Sequence, residues 1–219
     1  MELTKEQIRE IIARRVALEF KDGDVITLGI GLPTEAANYI PSNVHVILQS
    51  ENGIMGVGPM ANSDEADERI TNAGGKLVTM RPGGCYFDSL MSFHMIRGGH
   101  INKTVLGGLE VDEEGNLANW VVPGKMVPGM GGAMDLVVGA QQVIIAMEHT
   151  SKGQPKLLKK CTLPLTAEKE VDLIITEKGV IEVTPDGFLL KEISPYSSLD
   201  DIIASTDAHL IISDSLKRG

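Results

Sequence analysis

A carboxylate followed by glycines is the feature of this sequence best suited to chemistry. Glu51 comes directly after a predicted buried strand. Three glycines follow it, at positions Gly53, Gly56 and Gly58. Open α/β sheets bind ligands at the carboxyl ends of their strands, and an ionised glutamate there can attack an activated carbonyl without a base. The glycines would leave room for a bulky substrate. The pattern fits equally well an ordinary turn with a solvated or helix-capping carboxylate.

A second glycine-rich segment, G-M-G-G at residues 129–132, could supply backbone donors. Consecutive glycines can direct N–H groups at an oxyanion or a phosphate. The segment is not a dinucleotide fingerprint, because Met134 occupies the third glycine position and Pro123 and Pro128 disrupt the strand that should precede it. From the pattern alone, a left-handed turn is the favoured interpretation.

Other residue types that often carry chemistry give weaker signals. No pair of the five histidines has metal-ligand spacing, so no metal site is predicted and His149 is expected to be a solvated or core residue. Cys85 and Cys161 are too few for a disulfide framework. We expect Cys85 to be a small buried or half-buried residue, and Arg97 to interact with a helix end rather than with a phosphate.

Composition and charge exclude several functions. The 219 residues carry a net charge of −10, the pI is near 5.0 and the mean hydropathy is +0.04. So acidic a chain suits neither nucleic acid nor an anionic membrane surface. No apolar run approaches the 18 residues or so of a membrane span. The charged N-terminal segment does not resemble a signal peptide, so we expect a soluble, cytoplasmic protein.

An α/β arrangement must position the two glycine-rich segments. Apolar runs at 143–147 and 173–176 are typical of parallel strands covered on both faces. Since no linker or repeat interrupts the chain, one domain over residues 1–219 is expected. The other predicted strands cover residues 25–28, 44–49, 104–111, 180–183 and 188–190, and the predicted helices cover 4–20, with a capping box at Thr4, 33–39, 88–97 and 199–205.

The segment L-Q-S-E-N-G-I-M-G at residues 48–56 resembles the signature of class I CoA-transferases, in their beta subunit. The resemblance extends over nearly the whole chain and is greatest to the beta subunits of the acetate/butyrate–acetoacetate and 3-oxoacid CoA-transferases. It implies an open, mostly parallel sheet with flanking helices, the ribose-phosphate-isomerase-like CoA-transferase fold. Further segments that resemble the family lie at residues 29–33, 96–100, 119–125, 129–135 and 163–166.

The resemblance implies a reaction and roles for particular residues. Glu51 would be the nucleophile of a ping-pong transfer of CoA between acetoacetate and a short-chain acid (acetate, butyrate or succinate), through a glutamyl-CoA thioester. Gly132 would donate a backbone N–H to the oxyanion hole, and Gly131, Asn52 and Gly53 would shape the same corner. Coenzyme A and acyl-CoA would be substrates, with no further cofactor. Such a reaction belongs to ketone-body or short-chain fatty acid metabolism.

A partner is implied as well, since the glycine-rich signature of the family's alpha subunit is absent from this sequence. We expect an A2B2 heterotetramer, with two alpha and two beta subunits and the active site at the interface between the two types. Two other functions remain open. One is a sugar-phosphate isomerase with Glu51 as the general base, and the other is a non-catalytic assembly subunit.

Overall fold

A ten-stranded sheet forms the centre of the computed structural model, which describes residues 3–124 and 130–217. The helices are α1 (Lys5–Ala17), α2 (Leu32–Glu35), continued by a 3-10 turn at Ala36–Tyr39, α3 (Ser89–Arg97), α4 (Ala133–Gly139) and α5 (Leu199–Ala204). The strands are β1 (Val25–Leu28), β2 (Ile47–Ser50), β3 (Ile54–Met60), β4 (Val78–Tyr86), β5 (Lys103–Leu106), β6 (Glu110–Asp112), β7 (Leu117–Ala118), β8 (Val143–Ala146), β9 (Thr150–Ser151), β10 (Gln154–Pro155), β11 (Leu157–Leu158), β12 (Leu173–Ile175), β13 (Gly179–Thr184), β14 (Gly187–Ile193) and β15 (Leu210–Ile212).

The order of the strands in the large sheet is β15-β14-β13-β12-β8-β5-β1-β2-β3-β4. Strands β2, β1, β5, β8 and β12 are parallel, whereas β3, β4, β13 and β14 pair antiparallel with their neighbours before β15 returns parallel to β14. A small sheet of β11, β6 and β7 and a hairpin of β9 and β10 lie outside it. The predicted open, mostly parallel α/β sheet is confirmed.

Helices cover both faces of the parallel strands. The predicted capping box opens α1, where Thr4 and Gln7 each bond the other's backbone N–H. The buried face of α1, with Ile12 and Val16, packs in one hydrophobic cluster with β1, β5 and β8. On the opposite face, α3 and α4 contribute to a second cluster. The strands between them are therefore apolar on both sides, as the runs at 143–147 and 173–176 predict.

Glycine pairs change two of the predicted elements. The strand expected at 104–111 is two strands, β5 and β6, in different sheets. The chain turns at Gly107 and Gly108 and passes so close to β8 that a Cβ on Gly108 would lie 2.8 Å from Ile145 Cγ2. Likewise Gly56 and Gly58 lie within β3 and pack closely against β4, where a Cβ on Gly58 would collide with Thr79. These two glycines permit the close pairing of β3 with β4.

Several boundaries also differ from the prediction. Helix α1 ends at Ala17 and not at residue 20. The chain then turns before β1, where Asp24 accepts a hydrogen bond from the Lys21 N–H. Strand β2 begins at Ile47, three residues later than expected. In the described ranges, none of the helices combines the length and the apolar character needed to cross a membrane.

Candidate active site

A crevice opens at the carboxyl edge of the parallel strands, at the place where the order of the strands reverses. Strand β1 pairs in parallel with β2 on one side and with β5 on the other, so the loops that follow β1 and β5 diverge. The crevice has a volume of about 520 Å³. It is lined by residues 27–30, 50–51, 73, 106–109, 119–120, 130–133 and 136. Both glycine-rich segments of the sequence thus contribute to one cleft.

Glu51 and Gly132 are in direct contact inside this cleft. The Gly132 N–H donates a hydrogen bond of 3.1 Å to Glu51 Oε1. A Cβ on Gly132 would lie 2.5 Å from Glu51 Oε2 and 3.0 Å from Cε1 of Phe93, so no larger residue fits without displacing the carboxylate. Gly131 has φ +53°, a left-handed conformation that favours glycine. The structure therefore brings together three of the predicted site residues. Glu51 supplies a carboxylate, Gly132 supplies a backbone N–H donor, and Gly131 precedes that donor in the chain.

The other two predicted site residues hold the turn and do not line the cleft. Asn52 accepts a hydrogen bond of 2.6 Å from Ser50 Oγ and donates one of 2.7 Å to the Thr71 carbonyl. Gly53 has φ +118°, and a Cβ there would collide with the Phe87 carbonyl. Both residues thus fix the direction in which the chain leaves β2, and so the position of Glu51.

A buried polar chain beneath Glu51 was not predicted from the sequence. Gln49 accepts a hydrogen bond of 2.5 Å from Thr27 Oγ1 and donates one of 2.9 Å to Ser92 Oγ. These three side chains, from β1, β2 and α3, are at most 3% exposed. Thr104 Oγ1, on the strand next to Thr27, is buried without a partner among the described residues. A glutamine two residues before Glu51 in an apolar strand is the signal that could have indicated this chain.

One wall of the cleft depends on two segments that the sequence singles out only by resemblance, residues 119–120, which line it, and residues 163–166, which support them. Trp120 Nε1 donates to the Leu165 carbonyl at 3.3 Å. Its neighbour Asn119 accepts a hydrogen bond of 2.6 Å from Thr166 Oγ1 and donates one of 3.1 Å to the Gly107 carbonyl. The 163–166 segment therefore holds the 119–120 segment against the loop that follows β5. The residues at 125–129, which belong to the predicted motifs, lie outside the described part of the chain.

Histidine and cysteine take no part in the cleft. His149 is a core residue between the Thr176 and Thr206 hydroxyls, at 3.0 Å each, and burial lowers its pKa to about 4. Cys85 is exposed on β4, so the prediction that it is buried or half-buried was wrong. Arg97 pairs with the side chain of Asp135, in the first turn of α4, at 2.6 Å, a partner that the sequence did not predict. In the parts of the chain that are described, no three His, Cys, Asp or Glu residues form a group that could hold a metal ion.

Comparisons with known proteins find relatives over nearly the whole chain. The family model for coenzyme A transferase matches residues 9–205. The chain is 54% identical over 210 residues to the acetate CoA-transferase beta subunit of Haemophilus influenzae, covering 95% of this chain and 94% of that protein. It is 53% identical to the mitochondrial succinyl-CoA:3-ketoacid coenzyme A transferase 2B of Mus musculus, over 95% of this chain but only 41% of that protein.

Solved structures show the same fold. An acyl-CoA transferase from Escherichia coli O157:H7 superposes with a TM-score of 0.76 at 25% identity, over 98% of this chain and 43% of that one. The glutaconate coenzyme A-transferase of Acidaminococcus fermentans superposes with a TM-score of 0.67 at 20% identity, over 94% of this chain and 88% of that one. The described chain thus spans about two fifths of the mouse enzyme and of the E. coli chain.

Proposed function

This chain belongs to the coenzyme A transferase family as a class I beta subunit, and we propose that its enzyme moves CoA reversibly between acetoacetate and a short-chain acid. Acetate, butyrate and succinate are the proposed acids. Support comes from relatives at 53–54% identity that are named for acetate and for succinyl-CoA and 3-ketoacids. Such a reaction serves short-chain fatty acid or ketone-body metabolism.

Glu51 is the proposed nucleophile. Its carboxylate attacks the thioester carbonyl of the acyl-CoA, forming a mixed anhydride and expelling the CoA thiolate. The thiolate then attacks the glutamyl carbonyl carbon, forming a glutamyl-CoA thioester and releasing the first carboxylic acid as its anion. A second carboxylate reverses these steps and leaves as the new acyl-CoA. An acylated glutamate retains the energy of the thioester, provided that water is kept away.

The contact between Gly132 and Glu51 is the observation that carries this proposal. The Gly132 N–H already points at Oε1 of the carboxylate, at 3.1 Å. When the thiolate adds to the glutamyl carbon, negative charge develops on such a carboxyl oxygen, and the N–H would stabilise it without rearrangement. A preorganised donor of this kind contributes about 3 kcal/mol to the transition state.

The remaining parts of the proposal concern the assembly. Several relatives are named as beta subunits, which implies an alpha partner, and we propose an A2B2 heterotetramer whose active site is completed by the alpha subunit. Coenzyme A and acyl-CoA are the proposed substrates, with no further cofactor. A cytoplasmic location also stays part of the proposal. It rests on the sequence's composition alone.

Mass spectrometry of the complex with its alpha subunit tests the mechanism. After incubation with acetoacetyl-CoA, we expect a CoA-sized adduct on the peptide that contains Glu51, and borohydride should reduce it to an alcohol. Glu51→Gln should lose both the adduct and CoA exchange, whereas the matched surface change Glu168→Gln should keep both.

The alternatives give different outcomes. CoA exchange without an adduct on Glu51 would overturn the covalent mechanism. Proton exchange on a sugar phosphate without CoA transfer would indicate the isomerase. A complex that keeps its activity after Glu51→Ala would indicate a non-catalytic assembly subunit.

A further inference from the structure

The cleft around Glu51 is lined mainly by hydrocarbon. Five leucine and isoleucine side chains line it, from Leu28, Ile30, Leu106, Leu109 and Leu136, together with Trp120. Among the described residues that line the cleft there is no lysine, arginine or histidine. Such a surface suits the apolar part of a substrate, and its described residues offer no cationic side chain to the phosphates of CoA. The group best matched to it is the acyl chain of the acid.

Trp120 forms a wall of this cleft that cannot easily retreat. Its indole N–H is held by the Leu165 carbonyl, and the side chain of Asn119 next to it is held by Thr166. Trp120 is half-buried, and it lines the cleft. A large, fixed aromatic side chain limits how far a bound chain can extend.

Gly107, unlike Trp120, exposes only its backbone to the cleft. It lines the cleft, and a Cβ built on it would meet no atom within 4 Å. Its φ angle is not in the left-handed region, so an L residue is tolerated there. The Gly107 carbonyl accepts a hydrogen bond from Asn119, which links this position to the Trp120 wall. Trp120 thus occupies part of the cleft with its ring, and Gly107 leaves open space beside its backbone.

We propose that Trp120 and Gly107 together set the length of the acyl chain that the enzyme accepts. The inference rests on the proposed function, because it presumes an acyl group joined to Glu51. It assigns a role to the 119–120 and 163–166 segments, which the chemistry at Glu51 does not require. Trp120 limits the chain by its bulk, and Gly107 leaves the space into which a longer chain extends.

Opposite substitutions in the complex with the alpha subunit test the proposal. The value of kcat/KM is measured for acetate, butyrate and hexanoate with acetoacetyl-CoA as donor. Trp120→Leu enlarges the cleft and should raise the hexanoate-to-acetate ratio by about tenfold or more, since each methylene in an apolar pocket is worth about that factor. Gly107→Ala fills it and should lower the same ratio by about tenfold. Tyr196→Leu, a loss of an aromatic ring outside the cleft, should leave the ratio unchanged.

A spectroscopic measurement supplements the kinetics. Trp120 is the single tryptophan of the 219 residues, so the difference in emission between the wild-type and Trp120→Phe complexes reports its environment. Titration with butyrate should change this difference spectrum, and a spectrum that does not respond to butyrate would contradict contact between Trp120 and the acyl chain.

The results separate failure of the inference from failure of the proposed function. If CoA transfer occurs but the ratios stay within twofold of wild type in both variants, the inference is wrong. A rise in the KM for acyl-CoA by the same factor for every acid would place the CoA arm against Trp120 and would also overturn it. If the wild-type complex transfers CoA to no acid, the proposed function itself fails.

Discussion

At the scale of single residues, the site depends on the lack of a side chain at Gly132 as much as on the carboxylate of Glu51. The Glu51 carboxylate occupies the space beside Gly132 that a Cβ would take, which is why the N–H of Gly132 can approach it to 3.1 Å. A donor on the backbone has no rotamer to lose, so its direction is fixed by the fold. The carboxylate and its donor therefore keep their geometry before any substrate binds.

Gly132→Ala should lower kcat without preventing folding. Gly132 has φ −85°, which alanine adopts without strain, but its methyl group would lie 2.5 Å from Glu51 Oε2 and would displace the carboxylate. We expect a loss in kcat of about 10²–10³, the usual effect of losing one oxyanion hydrogen bond, because the displaced carboxylate no longer lies against the N–H. Steady-state kinetics of the complex measures it. The Phe93→Leu background removes the second contact of the new methyl group, and a full recovery of kcat there would show that Phe93 and not Glu51 is the group displaced.

The predictability of the site differs between residues for a physical reason. Glu51 and the glycines at 131–132 could be predicted, because local sequence reveals a carboxylate after a strand and a run of bare backbone. Their contact could not, since 81 residues separate them and only the fold brings them together. Gln49 and Trp120 could not be assigned roles either, because their partners come from distant elements.

At the scale of elements, β2 is held in place by a polar chain within the apolar layer. Gln49 joins Thr27 of β1 to Ser92 of α3, directly before the turn that carries Glu51. Buried hydrogen bonds are specific in direction, so this chain fixes β2 relative to α3 more narrowly than apolar packing would. Helix α3 also supplies Phe93, which lies against Gly132. Helix α3 thus contacts both the strand that leads to Glu51 and the glycine that binds its carboxylate.

Gln49→Leu should therefore reduce both stability and turnover. The change leaves the Thr27 and Ser92 hydroxyls buried without their partner, which costs about 1–3 kcal/mol in the free energy of unfolding. Because the end of β2 loses its tie to α3, kcat should fall while the KM for acyl-CoA changes little. Urea unfolding and steady-state kinetics measure the two effects. Gln154→Leu, a change at an exposed position of β10, is the control, and equal losses in both variants would contradict the role of the buried chain.

Elements with a strong local pattern were predicted well, and those interrupted by glycine were not. The strands at β1, β8 and β12 follow from continuous apolar runs, and the start of α1 follows from the Thr4 capping box. The turn at Gly107 and Gly108 was missed, because a strand that leaves one sheet for another looks locally like a longer strand. The pairing of β3 with β4 was missed because its glycines suggest a loop when read without the partner strand.

At the scale of the whole molecule, stability should depend on pH through the buried His149. This residue joins the end of β8 to β12 and to the segment after α5, through Thr176 and Thr206. Burial lowers its pKa to about 4, with the charges of Lys178 and Lys156 acting in the same direction and Asp201 opposing them. In the unfolded chain the pKa is about 6.5. The native state therefore disfavours the protonated form.

The sign follows from proton linkage. Below pH 6.5 the unfolded chain takes up a proton that the native protein does not, so stability present above pH 6.5 is lost as the pH falls toward 4. The loss should reach about 3 kcal/mol in the free energy of unfolding. Chemical unfolding of wild type and His149→Gln at several pH values measures it. The difference between the two proteins isolates His149, because Glu177 and Asp172, whose carboxyl pKa values burial raises, titrate in both. Parallel pH profiles would contradict the prediction.

The hydrogen bond between Gly132 and Glu51 also has a consequence for the order in which the chain assembles. It closes a segment of 81 residues that includes β3, β4, α3 and β5. Contacts between such distant positions form late, since the entropy of closing the intervening chain must be offset first. Fluorescence or circular dichroism would therefore record native-like helices and strands before this bond exists. During refolding, recovery of catalysis should be the last signal to appear, and it should appear in a single step.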